Sequence, residues 1–274
     1  MRRSAGAPDA PAPIDSAALD RRCTGLATAA HAAAGRLPDG PVRQAQAVLG
    51  QVAQRRRLAE DLTVVALAGP TGAGKSTLFN ALVGQELARV AVTRPTTGEP
   101  TAALWTTPES AGALLDWLGV KRWHVVTDPG PGPAEPTPAD PGSADPAPAD
   151  TGRTEAWSAP GLADLAGLVL LDLPDHDSTI ATHREQVDLL MARVDIMVWV
   201  LDPQKYADAL VHDAYLAQFA RHDDVTIVLL NQADRLEPAD ARAAREHLGA
   251  LVAADGLTSA RVLGVSARTG AGLD

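Results

Sequence analysis

Thr63-Val64-Val65-Ala66-Leu67-Ala68-Gly69-Pro70-Thr71-Gly72-Ala73-Gly74-Lys75-Ser76 is the stretch that decides the fold. Its first six residues are an apolar run rich in β-branched side chains that stops at a glycine, which predicts a strand buried on both faces. Its last eight residues fit the spacing G-x-x-x-x-G-K-S. Lys75 to Val83 then predicts a helix, with Phe79, Leu82 and Val83 on one side. A strand, a glycine-rich turn and a helix in this order make a phosphate cradle. Backbone N–H groups turn inward, and the helix N-terminus adds a partial positive charge. Gly69, Thr71, Gly72, Ala73, Gly74, Lys75, Ser76 and Thr77 are therefore the expected contacts of a nucleoside triphosphate. Lys75 can reach the β- and γ-phosphates, and the Ser76 hydroxyl can ligate Mg2+.

Downstream, the chain alternates between strand and helix patterns. Strands are predicted at Leu168–Leu173, Ile196–Leu201, Val225–Leu230 and Arg261–Val265, with a further one at Trp123–Val126. Helices are predicted at Glu109–Leu118, His183–Val194, Tyr206–His222 and Pro238–Ala254. This alternation implies a mostly parallel sheet covered on both faces. Asp172, at the end of a predicted strand, is positioned to hold Mg2+ through water.

The remaining segments set the organisation. Residues 1–61 comprise an Ala/Pro-rich, disordered start and two helices, Ser16–Ala34 and Pro41–Glu60. The Arg55-Arg56-Arg57 run within the second helix is expected to be a solvated face. Residues 62–274 form the α/β domain. It is interrupted at about 129–156 by a Pro/Ala/Gly/Asp-rich stretch; Pro129 to Glu155 holds eight of the chain's 21 prolines. Such a composition buries no core and predicts a disordered acidic loop.

Composition narrows the function classes. A net charge of −10 argues against broad sequence-independent nucleic-acid binding. Cys23 is the only cysteine, so neither an internal disulfide nor a zinc cluster is expected, in keeping with a reducing cytoplasm. Met1-Arg2-Arg3-Ser4 leads into no apolar segment, so no signal peptide is read there. The most apolar stretch, Leu189 to Leu201, is too short to span a bilayer and is broken by Arg193 and Asp195.

From Thr63 to Asp274 the motifs, in their order, resemble the translation-factor-related class of P-loop GTPases, particularly the Era-like branch and its dynamin-like relatives. The resemblance implies a three-layer α/β/α, Ras-like G domain that binds GTP and GDP with Mg2+. Thr96 and Thr97 follow Ser76 at the spacing of the family's switch I threonines. One of them would bind Mg2+ and the γ-phosphate, and Thr93 is an outside alternative. Asp172-Leu173-Pro174-Asp175 stands where the family has DxPG. Asn231-Gln232-Ala233-Asp234 stands for NKxD, and Ser266-Ala267-Arg268 for SAK. Asp234 would accept from guanine N1 and the exocyclic amine, which adenine cannot supply. The Ala267 N–H would serve guanine O6, and Asn231 would brace the loop.

Several positions depart from the family pattern. Gln232 replaces a lysine that covers the base. Asp175 replaces a glycine whose N–H contacts the γ-phosphate. Gly72 stands where potassium-activated members carry asparagine, so potassium stimulation is not expected. His176 occupies the position of a water-orienting residue; it either orients the attacking water, with Lys75 and Thr97 completing the catalytic set, or is an exposed loop residue without a role.

The resemblance implies a Mg2+-dependent GTP hydrolase acting as a molecular switch on an effector not specified by the sequence, with a nucleotide-dependent dimer as a further expectation. The alternatives are a nucleotide-dependent binding module with little hydrolysis, or the N-terminal GTPase part of a dynamin-like, membrane-associated protein. The chain stops where the family begins its last helix. A truncated chain is therefore expected, with apolar sheet surface exposed and any membrane or ribosome contact lying in the missing part. The protein is expected to be cytoplasmic, or membrane-peripheral at full length.

Overall fold

The computed structural model describes residues 16–58, 61–88, 99–126, 165–174, 190–191, 193–208, 211–212 and 216–273. Thr93, Thr96, Thr97, Asp175, His176 and the 129–156 insert lie outside the described residues. Most of the predicted helix at His183–Val194 does too. The chain divides into two compact units, Met1–Glu60 and Asp61–Asp274.

The first unit is a pair of helices, α1 (Ser16–Ala33) and α2 (Asp39–Leu58). The chain turns between them at Gly35, whose φ of 73° suits glycine. The Arg56 guanidinium pairs with the Asp20 carboxylate across the two helices. That gives one member of the arginine run an intramolecular partner.

The second unit is built on a seven-stranded sheet. Its strands are β1 (Thr63–Ala68), β2 (Thr101–Leu104), β3 (Arg122–Val125), β4 (Leu168–Asp172), β5 (Ile196–Leu201), β6 (Thr226–Leu230) and β7 (Arg261–Gly264). Their spatial order is β3-β2-β4-β1-β5-β6-β7. All neighbouring pairs are parallel except β2 and β4, which run antiparallel with Thr101 opposite Asp172. β1 lies at the centre, between β4 and β5. Among the described residues the sheet is accompanied by α3 (Lys75–Val83), α4 (Pro108–Leu118) and α5 (Pro238–Ala254).

Strand alternation sends successive side chains to opposite faces. One face carries Val64, Ala66, Val169, Met197, Trp199 and Val228, and every one of these is buried. Trp199 meets Phe219 edge to face at 5.7 Å between ring centroids. The other face packs Leu67, Leu170, Val198 and Leu229 against Leu78, Phe79 and Val83 of α3. Towards the N-terminal ends of the strands this second face opens. Val65, Leu168, Ile196 and Ile227 are only half-buried, and Leu263 is 37% exposed.

Two elements differ from the sequence expectation. β2 has no counterpart in it, because Thr-Ala-Ala-Leu is short and alanine is a poor strand former. The single helix predicted over Tyr206–His222 is not seen at either end: 203–207 is a turn and a 3₁₀ run covers Leu216–Val225 with a kink at His222, while Val211 and His212 between them are helical. The reason is local side-chain bonding. Asp202 Oδ1 accepts from the N–H groups of Gln204 and Lys205, and the Tyr206 carbonyl is bound by the His212 ring at 2.7 Å. These bonds compete with a continuous helical ladder.

Candidate nucleotide-binding site

The C-terminal ends of β1, β4, β5, β6 and β7 point to one edge of the sheet, and the loops leaving them gather there. The loop after β1 can lie flat against β5 only because Gly69 has no side chain. A Cβ at that position would sit 2.1 Å from the Val200 carbonyl oxygen, and φ is 151°. Gly74 is constrained in the same way from the opposite side, with φ 88° and the Asn231 amide nitrogen 2.5 Å from its would-be Cβ. These two approaches explain the first and second glycines of the motif in this chain.

The loop's carbonyls are held by side chains. Lys75 Nζ, in a residue only 5% exposed, donates to the carbonyls of Gly69 at 2.9 Å and Pro70 at 3.3 Å. Lys205 Nζ donates to the Thr71 carbonyl at 2.9 Å. Gln232 Nε2 donates to the Gly72 carbonyl at 2.9 Å, and Asn231 Nδ2 to that of Ala73 at 2.8 Å. Every carbonyl from Gly69 to Ala73 is thus engaged by a side-chain donor. Lys205 was not singled out by its sequence context, since its partner lies 134 residues away.

Ser76 opens α3, and its hydroxyl donates to Asp172 Oδ2 at 2.7 Å. Asp172 is fully buried at the end of β4. One carboxylate and one hydroxyl, both hard oxygen donors, suit Mg2+, which prefers a few protein oxygens together with water and phosphate. Among the described residues there is no cluster of three or more His, Cys, Asp and Glu side chains that would hold a metal by itself. The donor set therefore fits a magnesium ion shared with phosphates, with Ser76 and Asp172 as its protein side.

The loop after β6 carries Asn231 to Asp234. Gln232 takes a left-handed conformation with φ 60°, the one non-glycine residue with positive φ among those described. Asn231 Oδ1 accepts from the Ala267 N–H at 3.1 Å, so the N–H expected to face guanine O6 is bonded inside the protein here. Asp234 accepts from the Ser266 hydroxyl at 2.6 Å through Oδ1. Its Oδ2 accepts from Arg268 Nε at 2.9 Å and lies 2.7 Å from Nη2. The Ser266 hydrogen bond, followed by the bond and charge of Arg268, holds the Asp234 carboxyl below its ordinary 3.8.

A cleft of about 530 Å3 lies between these loops and the start of α3. Gly74 and Thr77 line it on the phosphate-loop side, and Asn231, Gln232, Asp234, Ala267 and Arg268 on the other. The Asp234 carboxylate and the phosphate loop thus share one cavity whose size suits a nucleoside.

A central β1 that feeds a G-x-x-x-x-G-K-S loop, an acidic β4 terminus beside Ser76, and two polar loops after β6 and β7 complete the pattern. The fold is that of a P-loop nucleotide-binding domain, a mostly parallel sheet whose central strand feeds the glycine-rich loop. Residues 64–135 match the family described as 50S ribosome-binding GTPase. No curated protein matches the chain.

Among solved structures, the chain is similar to a member of an oligomerised bacterial dynamin pair described as sensing and tethering membranes. The identity is 14% and the TM-score 0.47, covering 93% of this chain and 47% of the other. It is also similar to Era of Aquifex aeolicus bound to GDP·AlF4−, at 16% identity and TM-score 0.48, covering 78% of this chain and 54% of that one. A third similar structure belongs to chloroplast translocon components for whose GTPase activity dimerisation is described as important. There the identity is 13% and the TM-score 0.42, covering 80% of this chain and 78% of the other. The chain therefore spans about half the length of the bacterial dynamin and of Era. Among the described residues no helix is long and apolar enough to cross a membrane.

Proposed function

We propose that the chain binds GTP with Mg2+ and hydrolyses it to GDP and phosphate, acting as a molecular switch. The observation that carries this reading is the shared cleft: the Asp234 carboxylate, ionised and fixed by Ser266, faces the same cavity as Gly74 and Thr77 at the phosphate loop. Guanine offers a carboxylate two adjacent N–H donors, whereas adenine offers no such pair. The wrong base would leave Asp234 unpaired once Arg268 is displaced.

In this reading the triphosphate lies along the inner side of the loop, where the backbone N–H groups and the helix N-terminus receive it. The Lys75 ammonium is held by the Gly69 and Pro70 carbonyls at the loop's entry and offsets charge on the β- and γ-phosphates. Bound Mg2+, held through Ser76 and Asp172, would supply electrostatic stabilisation of the charge that develops on the phosphate oxygens. His176 and Thr97 are proposed to complete the water-positioning side, and Thr96 or Thr97 the metal side.

Phosphate release by the purified chain, with Lys75→Ala as control, tests hydrolysis. A rate no higher than that of the control leaves a nucleotide-dependent binding module, the reading that Asp175 in place of glycine favours. Competition between GTP and ATP for the same site tests the base. A nucleotide-dependent dimer is proposed as well, with sedimentation in GDP and in GDP·AlF4− as its measurement. Contact with membrane or ribosome would belong to a longer protein of which this chain forms the GTPase part.

A further inference from the structure

β5 ends beside the phosphate loop, in contact with it at Gly69 and Val200. The chain then turns tightly over Asp202 to Tyr206. Asp202, only 5% exposed, accepts at Oδ1 from the N–H of Gln204 at 2.8 Å and of Lys205 at 3.1 Å. Its carbonyl accepts from the N–H groups of Lys205 at 3.1 Å and Tyr206 at 3.0 Å. Further along, buried His212 meets the Asp255 carboxylate through Nδ1 and the Tyr206 carbonyl through Nε2. The turn is thus tied on both sides, and from it the Lys205 ammonium reaches the Thr71 carbonyl.

The donors to the loop's carbonyls divide by charge. Neutral amides of Gln232 and Asn231 hold Gly72 and Ala73, on the side of the base cleft. Ammonium groups hold Gly69, Pro70 and Thr71, on the side away from it. A nucleotide whose base occupies the cleft extends its phosphates along the loop, so its most distal charge meets the cationic end. Lysine is a compact point charge that serves this purpose without a fixed orientation.

We propose that Lys205 is a second phosphate-site lysine, a positioning residue that pins the loop at Thr71 and gives the site its preference for a nucleoside triphosphate over the diphosphate. This rests on the nucleotide reading above. Lys75 serves both nucleotides through the β-phosphate, whereas Lys205, through Thr71, shapes the end of the loop that receives the terminal one.

The test is binding of fluorescent GDP and of a non-hydrolysable GTP analogue to the full chain and to Lys205→Met and Lys205→Arg, with thermal melting of each protein free of nucleotide. Lys205→Met should lose about tenfold in affinity for the triphosphate analogue, the effect of one partly exposed charge-assisted hydrogen bond. GDP affinity and the melting temperature should stay within about twofold and a few degrees of the unsubstituted chain. Lys205→Arg should recover most of the loss. Equal losses for the two nucleotides, or no loss, would overturn the proposal while leaving the nucleotide reading intact. An unsubstituted chain that binds neither nucleotide would overturn both.

Discussion

The Arg268 guanidinium clasps Asp234 Oδ2 through both Nε and Nη2, at 2.9 and 2.7 Å. Guanidinium and the N1–C2–N2 edge of guanine present the same chemistry, two adjacent N–H donors on a planar carbon. Arg268 therefore occupies the carboxylate that the base is proposed to use. Its side chain is 76% exposed, so the pair is worth about 1 kcal/mol or less. Arg268→Ala should raise the association rate of guanine nucleotide by roughly two- to fivefold on that scale, read by stopped-flow fluorescence. An unchanged rate would show that the pair opens faster than nucleotide arrives.

Asp234→Asn replaces an acceptor-only carboxylate with an amide whose NH2 group can donate to adenine N1 and no longer matches both guanine donors. The ratio of GTP to ATP affinity should fall by about a hundredfold, the cost of losing a paired, ionised acceptor. Competition binding with both nucleotides measures it, and an unchanged ratio contradicts the assignment of the base-reading carboxylate.

The pH dependence follows from the direction of the Asp234 shift. Its folded-state value lies below the ordinary 3.8, so the stability it contributes is fully present above that value. That contribution is lost only as pH falls through the lower, folded-state value. Guanine-nucleotide affinity should show no loss attributable to Asp234 from neutral pH down to about pH 5, well above the ordinary carboxylate range. A decline centred near pH 6 in the unsubstituted chain but missing in Asp234→Asn would contradict this.

Gly74→Ala should abolish nucleotide binding while leaving the sheet folded. The added Cβ would lie 2.5 Å from Asn231 Nδ2, whose hydrogen bond to Ala73 fixes the loop, and the φ of 88° disfavours any side chain. Calorimetric titration with GDP, beside a circular-dichroism spectrum, separates the two effects. Retained affinity would mean that the Asn231 bond is dispensable.

Trp199→Ala tests the core instead of the site. Trp199 is fully buried and stacked edge-on against Phe219. Its truncation should cost about 3–5 kcal/mol, seen as a lower denaturation midpoint in urea. A cost under about 1 kcal/mol would show that this part of the core collapses around the cavity.

Much of this architecture was legible because the sequence repeats one simple device, an apolar run followed by a turn. The strands β1, β4, β5, β6 and β7 all announce themselves in this way, and so does the loop at Gly69. β2 did not, since Thr101-Ala102-Ala103-Leu104 owes its strand conformation to pairing with β3 and β4 rather than to its own residues. The segment after β5 misled for the opposite reason. Its apolar spacing suits a helix, but Asp202 Oδ1 binds the N–H groups of Gln204 and Lys205 and holds 203–207 as a turn. The pairing of Ser76 with Asp172 could be anticipated from motif order. The contact between Lys205 and Thr71 could not, because neither residue belongs to a pattern that names the other.

The row of side-chain donors to the phosphate loop's carbonyls has a consequence for exchange. A cradle supported by the protein itself is preorganised, so an arriving ligand need not supply the conformational entropy of shaping it. Emptying the site should leave its geometry standing. Turnover of bound nucleotide then depends on breaking contacts with the ligand and not on rebuilding the receptor. Any rearrangement then falls at the base end of the cleft, where Arg268 must leave Asp234.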